Sequence, residues 1–341
     1  MSLVRVHNEW DPIEEIIVGN PLYAGIPDGD LGLALTRKSG KKPFKFPDQL
    51  IEETEEDIQN IIGELEKLNI KVRRPSPIKF KGKFKTMDWE SEQFFSYCPR
   101  DVLLAIGDMV IESPGVFRSR YFETNTYKDI LIDYMKSGTR WISAPKPRLL
   151  DEIYNASDPN QPILRDLEPV FDAANVLRAG RDIFYLISDS GNYMGCQWLQ
   201  SILGKEYTVT PCPNLYKSVH IDTTLVLLRP GLALINPSWV DPKNLPEKIK
   251  QWDIITAPEM IEVNYSDVET MSSVWLGMNM LMLSPNLAMV DQNQIHLIKL
   301  LEKNGIDVVP VLLRHGRVLG GGPHCITLDV RRKGTLENYF S

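Results

Sequence analysis

Leu301 to Pro310, Leu-Glu-Lys-Asn-Gly-Ile-Asp-Val-Val-Pro, reads as the end of a helix handing over to a short strand that a proline closes. The same hand-over recurs four times upstream. An amphipathic helix over Leu50 to Leu68, with Ile58, Ile61, Ile62, Leu65 and Leu68 on one face, passes into Asn69 to Pro75. Tyr134 to Pro145, Trp198 to Pro211 and Ile249 to Pro258 repeat the pattern. Their spacing is irregular and too long for a stacked solenoid, so five such units suggest a closed, pseudo-symmetric arrangement, which would leave no open sheet edge.

Further strand-like runs lie between the units: Glu15 to Val18, Val102 to Ile106, Asp182 to Ile187, Leu225 to Leu228, Leu232 to Ile235 and Leu287 to Val290. The expected class is α/β, with several strands per helix. Arg37 to Lys45, RKSGKKPFK, is short, basic and contains Gly and Pro, and is read as a surface loop rather than a phosphate site. With no low-complexity linker to divide it, residues 1–341 are expected to form one domain.

The 341 residues are 43% hydrophobic and 24% charged, the composition of an ordinary globular protein. A net charge of −7 argues against nucleic acid or an acidic membrane as partner, because such binding needs basic surface. Small molecules or proteins are the expected partners, and a homodimer is left open. The N-terminus lacks a signal-peptide core, and no apolar run reaches the roughly 18 residues of a membrane span, so a cytoplasmic location is expected. Cys98, Cys196, Cys212 and Cys325 are scattered, with no disulfide framework and no zinc spacing. Nucleotide-binding glycine motifs are absent, so no cofactor is expected.

Chemistry concentrates first at Leu319 to Cys325, LGGGPHC, which precedes the apolar run Ile326 to Val330. Three glycines permit close backbone approach and deliver one thiol at the start of a strand, next to an imidazole. Taken alone, this stretch reads first as an ordinary turn with a buried cysteine. Ser218 to Asp222, SVHID, has strand-like alternation that would point His220 and Asp222 the same way, either as a surface pair or as an acid–base imidazole beside a cation-binding carboxylate. Asp172 in FDAAN is an N-cap or a partnered buried acid, and Asp88 in TMDWE sits among apolar residues. His7, His296 and His315 lack partners at suggestive spacing and are read as structural. One Cys, one His and several Asp suit thiolate attack on an electrophilic carbon in a cation, and a guanidinium fits.

The segments FDAANVLRAGRD (171 to 182), HIDTTLVLLRPGLALINP (220 to 237), MSSVWLGMNMLML (271 to 283) and GGGPHCITLDVRRKGTLENY (320 to 339) resemble the amidinotransferases. VHNEWDPIEEIIVGNP, PRDVLL and SAPKPRL extend the resemblance over essentially the whole chain. It is most similar to the inosamine-phosphate amidinotransferases of streptomycin-type antibiotic pathways, with glycine amidinotransferase more distant.

The resemblance implies a pentein-like five-bladed α/β propeller with pseudo-fivefold symmetry, and transfer of an amidino group from L-arginine to an amine. It implies Cys325 as nucleophile, His220 as acid–base group and Asp172 as the residue that orients it. It further implies Asp88 and Asp222 as the grip on the guanidinium and Ser273 as a substrate contact. In this reading an amidino group rests on Cys325 between donor and acceptor, and His324, although adjacent, is not the base.

One departure stands out. Where relatives carry an arginine for the substrate α-carboxylate, this chain has Trp239 after Asn236-Pro237-Ser238, and an indole cannot pair bidentately with a carboxylate. A donor without that carboxylate, such as agmatine, is therefore one alternative. A hydrolase of the arginine deiminase kind, using the same residues with water, is another. Pro323 and Val219 also depart from the family pattern, and Arg118 and Arg120 are candidates for an acceptor phosphate or for structural pairing.

Overall fold

Each hand-over read from the sequence closes a three-stranded sheet in the computed structural model, which describes residues 3–27, 30–36, 44–76 and 83–340. In every case two strands pair antiparallel and the third, arriving after a longer crossover, adds in parallel. Leu103–Ile106, Met109–Glu112 and Arg140–Ser143 form one such sheet, and Val176–Ala179, Asp182–Leu186 and Thr208–Cys212 the next. Leu225–Arg229, Leu232–Ile235 and Asp253–Thr256 follow, then Leu281–Ser284, Leu287–Asp291 and Asp307–Val311. The remaining sheet joins the two ends of the chain. Ile13–Val18 pairs antiparallel with Thr327–Arg332 and parallel with Lys71–Arg73.

The crossovers bury one face, as the 3.6-residue period requires. Asp48–Lys67 turns Leu50, Ile58, Ile61 and Leu65 inward, whereas Leu68 lies past the last turn and is exposed. Ile295–Lys303 ends at Asn304 with Gly305 at φ +73°, a left-handed position suited to glycine, and Ile306 re-enters the core. The fourth crossover differs from expectation. Before Asp253–Thr256 the chain makes only the 3-10 turns Pro242–Asn244 and Ile249–Gln251. Pro237, Pro242 and Pro246 crowd that segment, and each removes an N–H that an α-helix would use.

A buried ionic centre ties the sheets together. Arg178 bonds both oxygens of Glu9 and reaches Asp329, while Arg332 and Arg100 also bond Asp329. Arg100 Nε additionally donates to the carbonyls of His324 and Thr327, each at 2.9 Å, so this network clamps the turn that carries Cys325. Removing one member would strand buried charge, the costly direction. Phe44–Lys45 pairs with Gly25–Ile26, but the rest of the basic segment Arg37 to Lys45 lies outside the described residues. Among the described residues no helix is long and apolar enough to cross a membrane.

Candidate active site

Cys325 sits in a turn, two residues before the strand Thr327–Arg332. Ile326 N–H donates to the Gly322 carbonyl at 3.1 Å, and Thr327 Oγ1 donates to the Pro323 carbonyl at 2.8 Å. Two glycines before it are fixed by close approach. A Cβ on Gly321 would lie 2.6 Å from Cys98 Sγ, and one on Gly322 would lie 2.8 Å from Asn279 Cβ. The thiol is 3% exposed. Burial pushes its pKa well above the ordinary value, and the Asp222 charge adds to the rise.

Asp222 Oδ2 accepts from Cys325 Sγ at 3.2 Å and lies 2.9 Å from His324 Nδ1. Burial opposes its ionisation, but the bond and charge of His324 and the charge of His220 prevail, and its pKa lies well below the usual carboxylate range. A stably ionised carboxylate next to the thiol has no use for a neutral substrate and every use for a cation.

The loop bearing His220 and Asp222 is not a strand. His220 takes φ +64°, its N–H donates to Ser190 Oγ, and Ile221 N–H donates to the Ala174 carbonyl. These tertiary bonds hold a left-handed turn, so the expected alternation of SVHID does not apply. What the turn achieves is proximity to Asp172. His220 Nε2 lies 3.1 Å from Asp172 Oδ2, and Nδ1 lies 3.7 Å from Asp101 Oδ1. Burial lowers the His220 pKa, but Asp101, the hydrogen bond and charge of Asp172, and Asp222 outweigh it and carry it up to about 9. Asp172 precedes the 3-10 turn Ala173–Asn175 yet makes no side-chain cap, being committed to the imidazole.

Asp101 was missed in the sequence. It sits in the short helix Pro99–Val102, inside the PRDVLL segment, is 4% exposed, and bonds Arg120 Nη1 through Oδ2 at 2.7 Å. The available signal was an acid running straight into the wholly buried strand Leu103–Ile106, where it must find a partner. Among the described residues, Asp101 Oδ1 and Asp172 Oδ1 are buried without a hydrogen-bond partner. Two carboxylate oxygens with free lone pairs flank His220, within a cluster that also holds Asp222 and Cys325.

Asp88 is not joined to this cluster by any hydrogen bond or ion pair among the described residues. It is exposed, and Arg148 Nη2 donates to it at 2.7 Å. Ser273 is exposed and caps the 3-10 turn Val274–Met278 by accepting from Trp275 N–H, while its neighbours Met271 and Ser272 are anchored to the Arg317 carbonyl. Trp239 stacks on Tyr216 at 4.7 Å and lies 6.2 Å from Trp275. Trp239, the residue at which the sequence departs from the family pattern, thus belongs to an aromatic cluster. Arg118 and Arg120 are buried and engaged, Arg118 with Asp151 and the Leu149 carbonyl, Arg120 with Asp101 and Glu123. His315 is buried against Glu53 and His296 is exposed.

No family model matches the chain. Inosamine-phosphate amidinotransferase 1 of Streptomyces glaucescens is 50% identical to it over 346 aligned residues, 99% of each chain. The chain belongs to the amidinotransferases. The solved structure of an inosamine-phosphate amidinotransferase from Streptomyces griseus superposes with a TM-score of 0.97 at 49% identity, covering all of both chains. Mitochondrial glycine amidinotransferase of Xenopus tropicalis is 37% identical over 362 residues, 98% of this chain and 84% of its own. This amidinotransferase is therefore an enzyme that transfers amidino groups, built on the mixed α/β fold of its relatives.

Proposed function

We propose that this enzyme moves an amidino group from L-arginine to an acceptor amine through a covalent amidino-Cys325 intermediate. The observation that carries the reading is the buried cluster itself. A thiol touches one ionised carboxylate, Asp222, while His220 lies beside two others, Asp101 and Asp172, each with an unpartnered oxygen. A guanidinium brings the donors that such oxygens lack.

Asp222 grips the guanidinium and Asp101 takes the second place that the resemblance assigned to Asp88, because Asp101 is buried beside His220 whereas Asp88 is a surface partner of Arg148. Positioning of the guanidino carbon against Sγ supplies much of the rate. The cationic substrate offsets Asp222 and favours the thiolate, the thiol proton passing to solvent before attack. A carbon–sulfur bond forms, the bond from that carbon to the amine nitrogen breaks, and His220, cationic at neutral pH and held by Asp172, gives the leaving nitrogen its proton. The acceptor amine then adds, His220 recovers a proton, and Sγ departs. Double displacement of this kind gives ping-pong kinetics.

The names of the relatives support a phosphorylated aminocyclitol acceptor and a place in antibiotic biosynthesis. Ser273, exposed beside Trp275, is the serine that contacts substrate in this reading. The five three-stranded sheets support a five-bladed propeller of pseudo-fivefold symmetry in one domain. A cytoplasmic location and a homodimer complete the proposal.

A second reading, with agmatine as donor, is favoured by Trp239. Donors and acceptor amines tested in pairs, with mass-spectrometric detection of new guanidino products, decide among these. Ornithine as the arginine product supports transfer, citrulline supports the hydrolase reading, and equal turnover of agmatine and arginine supports a donor bound without its carboxylate.

A further inference from the structure

We propose that Asn279 is a further catalytic residue, a fixed hydrogen-bond donor that stabilises the Cys325 sulfur whenever it carries negative charge. Asn279 follows the 3-10 turn Val274–Met278, its N–H donating to the Leu276 carbonyl at 2.9 Å, and its side chain is buried. Oδ1 accepts from two backbone N–H groups, His324 and Cys325, each at 3.0 Å. Nδ2 lies 3.1 Å from Cys325 Sγ. The orientation of the amide is decided by chemistry. Reversing it would set the NH2 group against two N–H donors, so the donor end must face the sulfur.

The surroundings of Sγ give this one bond its weight. The Asp222 carboxylate at 3.2 Å accepts from the thiol, with His324 and His220 acting on that carboxylate from behind. Asp101 adds further negative charge, and the Cys98 thiol and Tyr97 phenol pack across Gly321. The titratable groups that weigh most on the sulfur, Asp222, Cys98 and Asp101, are thus neutral or anionic. Loss of the thiol proton turns the Asp222 contact repulsive until a guanidinium arrives, whereas the Asn279 contact strengthens, since a bond to a charged acceptor is the stronger kind. The sulfur is anionic at attack and again when it leaves amidino carbon, so the same N–H serves both half-reactions and consumes nothing. The close fit of Gly322 against the Asn279 side chain keeps the amide and the thiol in register.

This inference rests on Cys325 being the nucleophile, and its test does not need turnover. The purified enzyme and its Asn279→Asp and Asn279→Ala variants are alkylated with iodoacetamide from pH 6 to 10, following the Cys325 peptide by mass spectrometry. Asn279→Asp retains an acceptor for the His324 and Cys325 N–H groups and is the variant most suited to keep the turn, and circular dichroism identifies folded protein. In folded Asn279→Ala the midpoint of the alkylation profile should rise by about one to two pH units, and alkylation at pH 7.5 should slow roughly ten- to hundred-fold, while Asn279→Asp, which also sets an anion beside the sulfur, should raise the midpoint further. A folded variant whose midpoint coincides with that of the wild type, even with turnover lost, would reduce Asn279 to a structural role and overturn the proposal. Full activity of Cys325→Ser would instead remove the covalent mechanism, and the alkylation midpoints would still decide the hydrogen bond.

Discussion

Replacing Asp172 by Asn changes one charge and almost no volume at the back of His220. In the wild type the imidazole lies 3.1 Å from Asp172 and 3.7 Å from Asp101, and its pKa is carried up to about 9. A hydrogen bond to a charged partner is worth about 1.5–3 kcal/mol, so its loss should bring the pKa down by roughly one to two units, at about 1.4 kcal/mol each. Asp101 and Asp222 keep it from falling the whole way. The alkaline limb of kcat/KM, which tracks the protonated acid, should move down by the same amount, and activity at pH 8.5 should drop roughly three- to twenty-five-fold.

The same shift has a stability side. Because the folded pKa of His220 is raised, its contribution is complete below the unfolded value of about 6.5 and disappears as pH climbs through 9. The rise corresponds to roughly 3 kcal/mol at most. Wild-type stability should therefore fall between pH 6.5 and 9 more steeply than that of Asp172→Asn. The assay pairs initial rates of guanidino-product formation with urea unfolding across that range. An alkaline limb that stays in place in a folded variant would refute the assignment of His220 as the proton donor held by Asp172.

Asp222→Asn should act in opposite directions on two readouts, lowering kcat/KM by roughly a hundred-fold or more while speeding alkylation of Cys325 without substrate, because the anion that opposes the thiolate is gone. Parallel loss of both would argue against a charge role. Asp88→Ala should leave kcat/KM within a few-fold, since an exposed, solvent-screened pair with Arg148 contributes little, whereas Asp101→Asn should raise KM for the guanidino donor at least ten-fold. The reverse ranking would return the guanidinium grip to Asp88. Gly321→Ala should cut kcat more than it lowers the melting temperature, because its Cβ would press on Cys98 Sγ and on Cys325 Cβ, and unchanged kinetics would show that the turn yields freely.

Helix periodicity and the closing prolines made the five α/β units readable, because those signals are local and each unit obeys them separately. The exception, Ile249 to Pro258, failed where three prolines weaken a helix that the apolar pattern alone suggested. Cys325, His220, Asp172 and Asp222 were identified through long motifs, and they meet in space through contacts that no spacing announces. SVHID misled because the His220 and Ile221 N–H groups donate to Ser190 Oγ and the Ala174 carbonyl and so hold His220 in a left-handed turn. Asp101 and Asn279 escaped notice for a related reason. Each belongs to an apolar segment, PRDVLL or MNMLML, and acquires its meaning only from a distant partner, His220 for the one and Cys325 for the other.

The central claim is that the amidino group rests on Cys325 between the two half-reactions. Arginine labelled at the guanidino carbon, mixed with enzyme in the absence of acceptor and quenched in acid, tests it by peptide mass spectrometry. Label on the Cys325 peptide, released as guanidino product when the amine is added, is the predicted result. Turnover in the complete mixture with no label ever found on Cys325, and label passing directly from donor to acceptor, would contradict it.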